Sequence, residues 1–317
     1  MSRKLRVEYP GAIYHLMSRG DRREPIFKDD VDRRCFLEAL GQTCAKTGWQ
    51  VQAYCLMSNH FHLVVETPQA NLVAGMKWLL SVYTFRFNRR HKLFGHLFSG
   101  RYKSLIVDGS ANGYLKTVCD YVHLNPVRAR LLTEDQRLEN YEWSSYSQYL
   151  QKPARRPEWL RVRRLLGEWR IPSDSAAGRR MFAAEMEARR SGERDAEYKP
   201  IRRGWFLGDK TFRKELLAQM TERRGDWHYG GELNESAEER AERIVANELK
   251  RKGWSEKDLQ TRRKGDPFKV RLAGRLRAET TVTLKWIAGR LCMGARGHLA
   301  HLLYWRNRKK PKAKRKI

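Results

Sequence analysis

Two pairs of residues in this chain have types and spacings that could do chemistry. His60 and His62 stand one residue apart in Ser58-Asn59-His60-Phe61-His62-Leu63-Val64-Val65, a run that is otherwise apolar and β-branched. Side chains of a strand alternate with period two, so both imidazoles share one face and could bind one metal ion. Alternation also asks for something polar at every second position of a half-buried strand, so two ordinary polar-face histidines satisfy the same spacing. Tyr121 and Asn125 lie four residues apart in Cys119-Asp120-Tyr121-Val122-His123-Leu124-Asn125-Pro126-Val127-Arg128 and therefore share a helix face. If that helix packs over the histidines, the Asn125 carbonyl oxygen can serve as third ligand while the Tyr121 phenol points at whatever the metal polarises. A buried tyrosine and a helix-capping asparagine are the simpler account of this pair taken alone. A phenol, with an ordinary pKa of about 10, needs a charge-assisted setting and an activated electrophile to act as nucleophile. A metal-bound phosphodiester provides that activation.

The elements that must position these groups follow from periodicity and breakers. Ala12 to Ser18 reads as a strand after Pro10-Gly11, followed by the basic turn Arg19-Gly20-Asp21-Arg22-Arg23. Asp29-Asp30 open a helix that runs to about Lys46 and stops at Gly48. Trp49 to Leu56 and His60 to Glu66 form a hairpin, and Asn71 starts an amphipathic helix with a basic end at Arg86, Arg89, Arg90 and Lys92. Ser104 to Asp108 is a strand, and Tyr114 to Leu124 a helix that must finish near Asn125 because Pro126 disfavours helical geometry in the residue before it. The order strand, helix, strand, strand, helix, strand, helix predicts an α+β fold: a four-stranded antiparallel, ferredoxin-like sheet with an added helix. A change of composition around Pro153 and Pro157 predicts a boundary near residue 150, with a mostly helical, basic region over 151–317. In that region Arg202-Arg203-Gly204-Trp205-Phe206-Leu207-Gly208 reads as a turn that packs or recognises something. Thr283 to Leu291 and Ala295 to Tyr304 read as a helix-turn-helix, followed by a tail from Arg306 to Lys316.

Composition sets the partner. Among 317 residues, 65 Lys and Arg against 36 Asp and Glu give +29, a field that attracts polyanions, either nucleic acid or an acidic membrane surface. No apolar run approaches the roughly 18 residues that span a bilayer, and the first residues lead into Tyr9-Pro10-Gly11 rather than a signal sequence, so a cytoplasmic protein is expected. The five cysteines form no C-x-x-C pair and are expected to be reduced.

His60-Phe61-His62 on a strand, Gly100-Arg101-Tyr102-Lys103-Ser104, Tyr121-Val122-His123-Leu124-Asn125-Pro126-Val127-Arg128-Ala129 and Tyr141-Glu142-Trp143-Ser144-Ser145-Tyr146 together resemble the REP-associated tyrosine transposases, a branch of the single-tyrosine HUH family. The resemblance covers Pro10 to about Leu150. It implies His60, His62 and Asn125 as metal ligands, Tyr121 as the nucleophile, and Mg²⁺ or Mn²⁺ as the metal. It further implies cleavage and rejoining of single-stranded DNA beside palindromic, hairpin-forming repeats, with a nucleoid-associated location. No nucleotide cofactor is expected, in keeping with the lack of a G-x-x-x-x-G-K-[ST] loop. Arg19, Arg22, Arg23, Arg89, Arg90, Arg101, Lys103, Arg128 and Arg296 are the expected DNA contacts. Two other functions remain open, a non-cleaving regulator that binds hairpin DNA and a metal-dependent phosphoesterase. The phosphoesterase would need a general base such as Glu66, on the histidine face of the same strand but farther along. Tyr114, on the same helix as Tyr121, is a competing hydroxyl without the asparagine spacing.

Overall fold

The computed structural model describes residues 7–110, 113–191, 198–222 and 231–309. These fall into two compact units. The first contains strands β1 (Ala12–Arg19), β2 (Gln50–Met57), β3 (His60–Thr67) and β4 (Lys103–Val107) with helices α1 (Asp30–Thr47), α2 (Leu72–His91) and α3 (Tyr114–His123). It continues through α4 (Asn125–Arg128), α5 (Ser145–Leu150), α6 (Arg163–Glu168), α7 (Ala176–Ser191), α8 (Lys199–Arg203), β5 (Phe206–Leu207) and α9 (Lys210–Glu222).

The sheet order is β2-β3-β1-β4-β5. Its first four strands are antiparallel neighbours and form the expected ferredoxin-like α+β sheet. The fifth strand differs from expectation: Phe206–Leu207 pairs in parallel with Ile106 and Val107. The unpaired edge of β4 has donors to satisfy, and Ile106 N donates to Trp205 O at 3.1 Å while Asp108 N donates to Leu207 O at 2.8 Å. The segment read as a turn is therefore a sheet edge.

The elements form for local reasons the sequence carries. Asp29 caps α1, its carboxylate accepting from Asp32 N, and Gly48 closes the helix at φ 75°. One face of the sheet is apolar: Phe61 on β3 meets Phe36 of α1 with ring centroids 4.8 Å apart, and Phe36 meets Tyr83 of α2 at 5.1 Å. The opposite face carries the histidines and is covered by α3, which packs on β2, β3 and β4.

The expected boundary near residue 150 falls inside the first unit. Phe182 of α7 is fully buried, with its ring 5.2 Å from that of Tyr149, 5.8 Å from Tyr146 and 6.2 Å from His123. Arg156 and Arg179 both hold Asp174, the latter at 3.0 Å, which fixes the chain leading into α7. Residues beyond 150 thus complete the core that α3 rests on.

The second unit contains α10 (Gly231–Lys252), α11 (Glu256–Thr261), α12 (Pro267–Glu279), α13 (Leu284–Arg290) and α14 (Arg296–Lys309), packed around Val245, Leu272, Ile287 and Leu299. Thr283 caps α13, and Met293, buried in the turn before α14, joins the same core. The basic tail beyond residue 309 lies outside the described residues. No described helix is long and apolar enough to cross a membrane, and all five cysteines are free thiols.

Removing the Phe182 ring leaves a cavity against four aromatic neighbours, Tyr149, Tyr146, His123 and Trp169. Phe182→Ala is expected to destabilise the first unit by about 3 to 5 kcal/mol, read from its urea unfolding transition.

Candidate nucleophile and metal-ligand site

The register of β1 against β3 sets the site. Met17 lies opposite His62 and Arg19 opposite His60, so His15, Met17, His60 and His62 share one face. His60 and His62 stand with ring centroids 5.0 Å apart and nearly perpendicular. His15 stacks on His62 at 5.1 Å, and its Nε2 lies 2.8 Å from His62 Nδ1. His60 Nδ1 lies 2.7 Å from Asn59 Oδ1. In both candidate ligands one ring nitrogen is thereby engaged and Nε2 is left to face a ligand.

Burial keeps these rings neutral. It lowers His15 to about 3 and His60 to about 4, helped by Arg128 and Arg19 respectively. His62 is driven well below its ordinary value by burial, with His15, His60, Arg128 and Arg19 adding repulsion. Neutral imidazole is the form that binds metal.

Tyr121 reaches the same face from α3. Its ring centroid is 5.7 Å from that of His62 and 5.6 Å from that of His15, both edge-on. Tyr121 is only 8% exposed. The structure thus brings His60, His62 and Tyr121 together. Asn125 lies one turn farther along, but not on an unbroken helix. α3 ends at His123, Leu124 sits at ψ 1°, and Asn125 opens the separate turn α4 with Pro126 next to it. Asn125 is buried and its Nδ2 has no hydrogen-bond partner. Neutral imidazoles and an amide carbonyl oxygen are donor types that suit a divalent cation of the Mg²⁺ or Mn²⁺ type. Among the described residues, no group of three or more His, Cys, Asp and Glu side chains is arranged to hold a metal, so a third ligand has to come from another residue type.

Three side chains take parts that sequence reading did not assign. His15 orients His62, and only the β1–β3 register reveals it. Tyr198, at the start of the α8 region, lies with its ring 5.3 Å from that of Tyr121, and no sequence signal links the two. Arg128, expected on DNA, instead lays its guanidinium over the Tyr121 ring at 4.2 Å and over Tyr198 at 5.0 Å, and donates to the Tyr121 carbonyl oxygen. Next to Tyr121 in sequence, buried Asp120 pairs with Lys116 and with Arg189 of α7, each at 3.0 Å. Glu66 is tied to Arg164 at 2.7 Å and to Gln52, at the other end of β3 from His60.

Residues 8–125 match the family described as "Transposase IS200 like". Through this segment the chain is similar to the IS200-like transposases. Among solved structures the chain is similar to one described as "Structure of the REP associates tyrosine transposase bound to a REP hairpin". That match has 12% identity and a TM-score of 0.40 over 50% of this chain and 91% of that one, too loose to carry an argument. The comparison with curated proteins returned no match.

In the structure the expected DNA contacts divide. Arg19, Arg22, Arg23, Arg89, Arg101 and Lys103 are exposed in the first unit, and Arg296 is exposed at the start of α14. Arg90 is committed elsewhere: it bridges Asp29 and the buried Asp32, which also accepts from His91 at 2.9 Å. Arg90→Ala is therefore expected to lower the unfolding midpoint while leaving the salt dependence of DNA binding unchanged. Arg89→Ala is expected to leave stability unchanged and to reduce the slope of log K against log salt by about 0.7 on single strands, measured by fluorescence anisotropy.

Proposed function

We propose that this transposase domain cleaves and rejoins single-stranded DNA beside hairpin-forming palindromic repeats, through a 5′-phosphotyrosyl link to Tyr121. The observation that carries the reading is the contact of the Tyr121 ring with His62 and His15, with His60 alongside, inside a segment of transposase family. His60, His62 and Asn125 would hold Mg²⁺ or Mn²⁺, which when bound supplies Lewis-acid polarisation of the scissile phosphate.

The protein's own residues do the rest. The Tyr121 Oη forms a bond to phosphorus and gives up its proton, the P–O3′ bond breaks, and the 3′ oxygen takes up a proton. The reverse attack by a 3′-hydroxyl on another strand restores the tyrosine. Bond energy is conserved in the link, so no nucleotide cofactor is required. Arg128 over the ring face holds the ring in place. His15 holds His62 in one tautomer and orientation, as partners of ligating histidines commonly do. Burial of Tyr121 excludes water from the link until a strand arrives. The hydrolytic alternative is disfavoured because Glu66 is spent on Arg164. In the second unit, Arg296, His298 and His301 are exposed on α14 while Leu299 is buried, an arrangement that suits reading of a hairpin stem by a helix-turn-helix.

The test is incubation of full-length protein with labelled single strands bearing palindromic repeats, with Mn²⁺ or with chelator. Wild type and Tyr114→Phe are expected to form a protein–DNA adduct. Tyr121→Phe, His60→Ala and His62→Ala are expected to form none while still binding the hairpin. An adduct on Tyr121→Phe would place the nucleophile elsewhere, and hairpin binding by wild type without an adduct would make the protein a regulator. His15→Phe, which keeps the ring stack and loses the nitrogen, is expected to weaken Mn²⁺ binding by about 10- to 100-fold in calorimetric titration.

A further inference from the structure

Two phenylalanines four residues apart in the loop between α2 and β4 have opposite fates. Phe98 tucks onto Phe61 and Tyr83, at 6.0 and 6.2 Å between ring centroids. Phe94 is 98% exposed. An exposed phenylalanine forgoes the benefit of burial, about 1.5 to 3 kcal/mol, and a slack loop would let it fold down.

This loop is not slack. Lys92 caps α2 in the left-handed region at φ 54°, and Leu93 N then donates to Asn88 O at 2.9 Å. The Asn88 side chain donates to Gly95 O at 3.0 Å, across a turn that Gly95 makes at φ 89°. On its far side the loop is bound to the corner after β1: Asp21 N donates to Leu97 O at 3.0 Å, and Ser99 N to Arg19 O at 2.9 Å. Phe94 is therefore held out from both ends by backbone hydrogen bonds.

The corner it is bound to is unusual as well. Arg22 and Arg23 both adopt positive φ, 51° and 64°, and both side chains are exposed. Two consecutive arginines in the left-handed region store strain that a merely linking turn would not keep. The same corner is fastened to the histidine site: Gly20 N donates to Asn59 O at 2.8 Å, and Asn59 Nδ2 donates to Arg23 O at 3.1 Å, with His60 next in sequence. Arg89, Lys92 and Arg101 at the roots of the loop are also exposed.

An outward aromatic face among exposed cations, rigidly joined to a phosphodiester-cleaving site, suits one kind of ligand. We infer that Phe94 and the Arg22–Arg23 corner form a subsite for unpaired nucleotides flanking the cleaved phosphate, with one base stacked on Phe94 and its neighbouring phosphates on the arginines. A duplex offers no base face, since each is covered by the next pair, so the subsite selects single strand over stem. The inference rests on the proposed single-strand chemistry and adds where the unpaired flank runs.

The experiment uses full-length protein and hairpin oligonucleotides whose single-stranded flank carries 2-aminopurine at successive positions. With wild type, one position is expected to show quenching on binding. Phe94→Ala should abolish that quenching and weaken binding of the flanked hairpin roughly tenfold, as loss of one stacked base implies, with no change for the blunt hairpin. Phe94→Trp should restore both. Equal affinity and equal quenching in Phe94→Ala overturn the subsite. So does a DNA-free wild-type dimer that Phe94→Ala converts to monomer in sedimentation, which would assign the ring to a second copy of the chain. Scoring the Tyr121 adduct on the same oligonucleotides separates the two readings. An adduct without Phe94-dependent binding removes only the subsite, and Phe94-dependent quenching without an adduct removes only the cleavage chemistry.

Discussion

The candidate site depends on the register of two central strands. Pairing Met17 with His62 and Arg19 with His60 puts three histidines on the face beneath α3. A slip of one residue in β3 would exchange that face for the other, because strand side chains alternate. The exchange is blocked by Phe61, which stands between the two histidines and is fully buried against Phe36. One apolar ring thus fixes the direction in which two imidazoles point. The burial energy of the core and the geometry of the chemistry are set by the same three consecutive residues.

Electrostatics follow from that placement. The chain carries a large positive charge, yet the groups around Tyr121 that could act as ligands are uncharged. Burial removes the histidines' protons, and Arg19 and Arg128 reinforce the effect. The nearby carboxylates are engaged by cations of their own: Asp120 by Lys116 and Arg189, and Glu66, at the far end of the histidine face, by Arg164. A site with neutral donors and surrounding cations accepts an anionic backbone without needing to neutralise acidic side chains first. This is the charge pattern expected of a site whose substrate brings its own negative charge.

Much of this was legible in sequence, and the limits are instructive. The strand histidines, the Tyr121–Asn125 spacing and the first four strands could be read because each rests on local periodicity or a breaker within a few residues. What escaped rests on long-range partners. β5 is only two residues long and exists because β4 offers an open edge. His15 sits in a run that reads as any strand, and its role appears only when β1 is laid beside β3. Arg90 stands at a basic helix end like Arg89, but the fold gives it two aspartates far back in the chain. The boundary drawn near residue 150 followed a change in composition, whereas the core continues through Phe182 because α5 has aromatic faces still to cover.

The setting of Tyr121 extends beyond the segment of family resemblance. Residues 8–125 contain Tyr121, His60 and His62, but the ring of Tyr121 is bounded by Arg128 and Tyr198. Asp120, next to Tyr121 in sequence, is fully buried and raised to about 6, burial outweighing Lys116 and Arg189. Removing Arg189 from this arrangement would take one of two cations from a buried carboxyl beside Tyr121. α7 and the α8 region therefore bear on the placement of Tyr121: one pairs with the residue before it and the other bounds its ring. A helix that must present a phenol at a fixed distance from two imidazoles needs both of its sides defined. In this chain the sheet defines one side and the residues beyond 125 define the other.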